Sequence, residues 1–121
     1  MRFTLHASRY AVCRLASDAA IPSWPSGAFV SITRTADELS IVCAEESVPP
    51  DVQAERGWRC LALEGPIPFN AIGVAAAITT ALAAARVSVF FVSTYDTDYV
   101  LVPGRSLDSA IAALRAAAFD L

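Results

Sequence analysis

When the chain is displaced against itself by sixty positions, residues 28–42 (AFVSITRTADELSIV) fall over residues 88–102 (SVFFVSTYDTDYVLV). Both stretches read strand, polar turn, strand. Thr33 meets Ser93, Glu38 meets Asp98, Ile41 meets Leu101 and Val42 meets Val102. Such a repeat narrows the fold sharply, because each copy must be one supersecondary unit that completes its core with the elements around it. The length of 121 residues suits two small modules or one compact domain and excludes a freestanding multi-domain protein.

The elements around the repeat follow from local composition. Tyr10–Leu15 (YAVCRL), Ala28–Thr33 and Leu39–Ala44 (LSIVCA) are short, rich in Val, Ile and aromatic residues, and bounded by Pro, Gly or acidic residues, which predicts strands. Pro22, Pro25 and Gly27 leave room for no more than a stub of helix between the first two. Pro50 can start a short helix that Gly57 ends, and Trp58–Glu64 then makes a fourth strand. A helix is expected over Phe69–Ala85, strands over Val87–Ser93 and Tyr99–Val102, and a last helix from Ser106 to about Ala118. Ser106 is placed as its N-cap, and Leu107, Ile111, Leu114 and Ala118 share one face. Phe119–Leu121 can add a terminal strand. Each half thus reads strand, helix or helix remnant, strand, strand, helix, an α+β arrangement of tandem ferredoxin-like modules with helices on one face of an antiparallel sheet.

Composition excludes several function classes. All nine basic residues are Arg, so Schiff-base chemistry and a phosphate-loop lysine are out of reach. The net charge of −3, without a basic block, gives counterion-driven nucleic-acid binding little to work with. Cys13, Cys43 and Cys60 lie far apart in apolar runs and His6 is the single histidine. The cysteines read as buried small hydrophobes, and neither a metal site nor a Ser-His-Asp triad is expected. Residues 66–85 carry no charge, but Pro66, Pro68, Asn70 and Gly73 interrupt them, so no membrane span is expected. Arg2, His6, Arg9 and Arg14 break any secretory apolar core, which predicts a cytoplasmic protein.

LEGPIPFNAIG (63–73), RVSVFFVSTYDTDYVLV (86–102) and the Ala/Leu-rich last helix resemble the CASTOR-type branch of the ACT-domain family. RYAVCRL (9–15) and SITRTADELSIVC (31–43) are similar to the amino-terminal half of small bacterial members of that branch. The resemblance spans essentially the whole chain, and STYDTDY is its most specific part. It implies a degenerate amino-terminal ACT-like module over 1–57 and a carboxy-terminal ACT module over 58–121. It also implies a non-enzymatic regulatory or sensor protein, without cofactor, that binds a free amino acid and signals to a protein partner. Carried over by position, the ligand site would comprise Ala71, Ile72, Gly73 and Val74 at the start of the first long helix, with Thr94, Tyr95 and Asp98 at the hairpin turn. Ala71 stands where the animal arginine-sensing relatives carry an acidic residue, so arginine specificity does not transfer.

The chemistry of these residues is consistent with that reading on its own terms. A helix amino terminus leaves backbone N–H groups unpaired and carries partial positive charge, a natural seat for a carboxylate. Asp98 at a strand start can then face the ammonium of the same zwitterion. Simpler roles stay open for the same residues. Asp96 and Asp98 suit solvated turn positions, Tyr95 and Tyr99 suit sheet packing, and Gly73 suits a close helix crossing. Trp24 and Trp58 suit lids over the two cores, and Glu45 and Glu46 a solvated strand exit. Two rival functions follow from the same sequence. One is a ligand-free interaction module that pairs through an open sheet edge, the edge that also makes a homo-oligomer plausible. The other, a small enzyme with Asp96 or Asp98 as base, lacks a partner group in the sequence nearby.

Overall fold

Residues 1–121 are described by a computed structural model. The chain runs β1 (Phe3–Leu15), β2 (Ser31–Arg34), β3 (Leu39–Ala44), β4 (Ala54–Leu63), α1 (Val74–Ala84), β5 (Phe90–Ser93), β6 (Asp98–Pro103) and α2 (Leu107–Ala116). Single turns of 3-10 helix follow β3 at Glu45–Ser47 and β6 at Gly104–Ser106. The strands hydrogen-bond in the order β2-β3-β1-β4-β6-β5. Two compact units are present: Met1–His6 with Arg59–Leu121, and Ala7–Trp58. The fold is α+β and of the ferredoxin-like type.

In the unit that holds both helices, alternate residues of β4 and β6 face the helical layer. Leu61, Leu63, Val100 and Val102 form its core with Ile78 and Leu82 of α1 and Ala110 and Leu114 of α2. Each fully buried large aliphatic side chain contributes roughly 1.5–3 kcal/mol. α1 has no charged residue to define a polar face, and alanine over most of its surface suits close packing without side-chain entropy loss. The terminal segment adds one bridge, Arg2 to Asp120, and Phe3 packs on Phe119 with ring centroids 5.3 Å apart.

The other unit is β2-β3-β1 with no α-helix. Its core is Ala11, Cys13, Leu39, Ile41, Cys43 and Val48, with Trp24 packed against it. The proline-rich segment before β2 is irregular, as Pro22 and Pro25 dictate. All three cysteines are buried and free. Burial pushes the Cys13 thiol up to about 11 and Cys60 to about 12, with the neighbouring Cys43 adding to the effect on Cys13.

Several boundaries differ from those read in the sequence. β3 matches Leu39–Ala44, but β1 begins seven residues before Tyr10, at Phe3. The helix expected between Pro50 and Gly57 is absent, and β4 starts at Ala54 and runs through Gly57 at φ +79°. Glu45 explains part of this: its Oε1 accepts the Gly57 N–H at 2.6 Å, so this residue fixes the strand and is more than a solvated exit. α1 starts at Val74, five residues after Phe69, because 64–73 is held as a loop. Ser106 is the N-cap of α2 without a side-chain bond, and the buried face is Ala110 and Leu114, with Ala118 exposed at φ +70°.

The repeat is present with a period of 59 and not sixty. β2, β3 and the first 3-10 turn each begin 59 residues before β5, β6 and the second. Thr35-Ala36-Asp37 therefore overlies Thr94-Tyr95-Asp96, and Leu39 overlies Asp98. Hydrophobic pattern could not reveal this. Ile41–Cys43 and Val100–Val102 are buried throughout, so the runs carry no alternation, although a slip of one residue reverses every side chain.

Candidate functional site

The loop that precedes α1 and the turn that joins β5 to β6 enclose a cavity of about 360 Å³. The turn is built by its own hydroxyls. β5 and β6 pair with Ser93 opposite Asp98, and Thr94 N–H donates to Thr97 O at 2.8 Å. Thr94 Oγ1 donates to the same carbonyl at 3.1 Å and accepts the Thr97 N–H at 3.4 Å. Thr97 Oγ1 donates to Leu63 O at 2.5 Å, which ties the turn to the end of β4. Threonine is suited to this because its hydroxyl both donates and accepts within a turn.

The loop is pinned to that frame. Ile67 N–H donates to Asp96 O at 2.7 Å, and Ala71 N–H closes a turn on Pro68 O at 3.0 Å. Gly65 lies so near that a Cβ there would stand 2.8 Å from Asp96 O and 3.1 Å from Thr97 Cβ. Gly73 then caps α1 at φ +85° with no side-chain bond. A Cβ on Gly73 would meet nothing within 4 Å, so left-handed backbone and not a close crossing calls for glycine there. The N–H groups of Val74, Ala75 and Ala76 are the helix's free donors, and all three residues line the cavity.

Charge completes the arrangement. Asp98 begins β6 on the cavity side, and Ser93 Oγ donates to its Oδ1 at 2.7 Å. That bond orients the carboxylate and leaves Oδ2 to accept from a ligand. One wall thus offers partial positive charge at a helix terminus, and the opposite wall offers a full negative charge. Together they suit the carboxylate and ammonium of one small zwitterion. Asp96 and Asp98 are the only carboxylates in the lining, which holds no histidine, cysteine or arginine.

Of the residues singled out in the sequence, Ala71, Gly73, Val74, Thr94, Tyr95 and Asp98 line this one cavity. Ile72 stands apart from it, 97% exposed. Tyr95 points into solvent at the rim and does not pack on the sheet, whereas Tyr99 is half-buried with its ring edge-on to His6 at 6.1 Å. Burial lowers the pKa of His6, which lies away from the lining. The polar centre Ser93, Thr94, Asp96, Thr97 and Asp98 lines the cavity, as its composition suggested, whereas sequence reasoning passed over Ile67, Pro68, Phe69, Ala75 and Ala76. The missed residues depended on where α1 begins.

Comparison with known proteins bears on both units. A family model described as ACT domain matches residues 53–116, and a second model, for an amino-terminal domain, matches residues 8–51. The chain is similar to a protein of Agobacterium tumefaciens solved by X-ray crystallography, at 37% identity and a TM-score of 0.93, over 99% of this chain and 90% of that one. It is also 37% identical over 59 residues to the human "Cytosolic arginine sensor for mTORC1 subunit 1", a stretch covering 48% of this chain and only 18% of that protein. The ligand-free regulatory subunit of aspartate kinase from Thermus thermophilus shares the fold at 11% identity, with a TM-score of 0.65 and 97% coverage of both chains. With an ACT-domain match over more than half its length and 37% identity to the arginine sensor over 59 residues, the chain belongs to the CASTOR-type branch of the ACT-domain family.

Proposed function

We propose that the chain is a non-enzymatic regulatory module that binds a free α-amino acid in the cavity between the start of α1 and the β5–β6 turn. The observation that carries this reading is the convergence of three free helix N–H donors and the Asp98 carboxylate on one cavity of about 360 Å³. The ligand carboxylate sits at Val74–Ala76 and its ammonium on Asp98. A hydrogen bond to a charged group contributes roughly 1.5–3 kcal/mol, so the two ends together account for a useful affinity. Residues 58–121 act as the ligand-holding module, and residues 1–57, where Leu39 replaces Asp98, act as its degenerate companion. A lining whose acids have no histidine or lysine beside them supports binding over catalysis.

Thermal unfolding with each common amino acid at millimolar concentration tests this. A ligand at about a hundred times its Kd adds roughly 2.7 kcal/mol, a rise of several degrees in Tm. Asp98→Ala should abolish that rise and leave the unliganded Tm within about 2 °C, since the side chain lies outside the core. Absence of any shift in the unmodified protein favours the alternative, an interaction module paired through a sheet edge. That alternative has its own support in β2, an edge strand with Ile32 41% exposed.

A further inference from the structure

Two aromatic rings at the cavity do no work in the fold. Phe69 is 75% exposed and Tyr95 79%, and neither belongs to the core beneath them. They nevertheless meet edge to face, with centroids 4.7 Å apart and planes at 86°. Phe69 comes from the loop before α1 and Tyr95 from the β5–β6 turn, the two walls that the Ile67–Asp96 hydrogen bond fastens together. The ring pair therefore bridges the walls at the cavity, held by backbone that is fixed independently of it.

Resting on the amino-acid-binding reading above, we infer that Phe69 and Tyr95 select the ligand's side chain, and that this side chain is large, uncharged and apolar or aromatic. Exposed rings at a cavity hold apolar surface that a ligand can bury. The charges present narrow the choice. The lining's charged groups are the two carboxylates of Asp96 and Asp98, so an acidic side chain is repelled. Asp98 serves the ammonium. Asp96 is exposed, and a solvent-screened pair between it and a basic side chain adds at most about fivefold in affinity. Burying a large apolar side chain adds about ten- to a hundredfold, which decides between the two.

Isothermal titration of the full chain with phenylalanine, leucine, alanine, arginine and glutamate tests this directly. Phenylalanine or leucine should bind at least about tenfold more tightly than alanine. Tyr95→Ala and Phe69→Ala should reduce that ratio severalfold, while Tyr95→Phe keeps the ratio. Because both rings are exposed, the melting temperature of each variant in the absence of ligand should stay within about 2 °C of the parent. Tightest binding of arginine or glutamate, or a ratio that survives both alanine variants, overturns the side-chain assignment and leaves the amino-acid reading standing. Binding of none of the five overturns both.

Discussion

Replacing Gly65 by alanine should damage the cavity from behind. The added Cβ would stand 2.8 Å from the Asp96 carbonyl oxygen, a backbone atom that already accepts the Ile67 N–H at 2.7 Å. Neither loop nor turn can yield without stretching that bond. Overpacking of this kind costs about 1–3 kcal/mol, and loss of the hydrogen bond adds about 0.5–1.5 kcal/mol. A combined loss near 2–3 kcal/mol corresponds to a fall in Tm of roughly 6–12 °C for a chain of this length. Since both walls are displaced, amino-acid affinity should fall at least tenfold. Differential scanning calorimetry and titration on the same preparation read the two effects. Gly57→Ala supplies the contrast. Its Cβ meets nothing within 4 Å although φ is +79°, so backbone strain alone, about 1–2 kcal/mol, is expected, with ligand affinity unchanged. A Gly65→Ala protein with Tm and affinity within error of the parent would refute the claim that loop and turn are held in register by contact at Gly65.

Other consequences can be checked separately. Thr97→Val removes the donor to Leu63 O and should cost about 1 kcal/mol in urea unfolding, with a parallel loss of ligand affinity. Arg34 donates to the carbonyls of Ser17 and Ala19 in the unit without helices; Arg34→Ala should lower Tm slightly and leave any amino-acid-induced shift intact. The buried thiols make stability fall at alkaline pH. Their folded pKa values, about 11 for Cys13 and 12 for Cys60, exceed the ordinary value near 8.5, so the unfolded chain loses these protons first. Their contribution is complete below about pH 8.5 and is lost as pH rises toward the folded values, by at most about 1.4 kcal/mol per pH unit for each thiol. Urea midpoints between pH 8 and 10.5 should fall, and fall less steeply in Cys60→Ala; a flat profile contradicts the burial argument.

Much of the fold was legible because it rests on local chemistry. The β3 run LSIVCA, the prolines before β2 and the polar centre of the β5–β6 hairpin announce themselves within a few residues. Where contacts distant in sequence decide, the reading drifted. Glu45 converts a plausible helix at 50–57 into the start of β4 by accepting the Gly57 N–H. Loop 64–73 delays α1 because the turn at 94–97, some thirty residues onward, provides its hydrogen-bond partner. The site followed the same division. Ala71, Gly73, Val74, Thr94 and Asp98, which line the cavity, were recognisable from family pattern and helix-terminus physics, whereas Ile72 stands outside it and Phe69 is placed by loop backbone bonded to the distant turn. The repeat was off by one because fully buried strands lose the alternation that fixes parity.

The two turns 59 residues apart give the chain an internal clock. Thr35 N–H donates to Glu38 O at 2.9 Å and Thr94 N–H to Thr97 O at 2.8 Å, in frames with the same threonine and aspartate placement. Temperature, denaturant and acidity change both exchange rates, each according to the stability of its own turn. The amino acid proposed at Asp98 acts on Thr94, while the matching turn presents Leu39, fully buried, in place of the carboxylate. The ratio of the two hydrogen-exchange rates, read from one sample under fixed conditions, therefore reports occupancy of the proposed site.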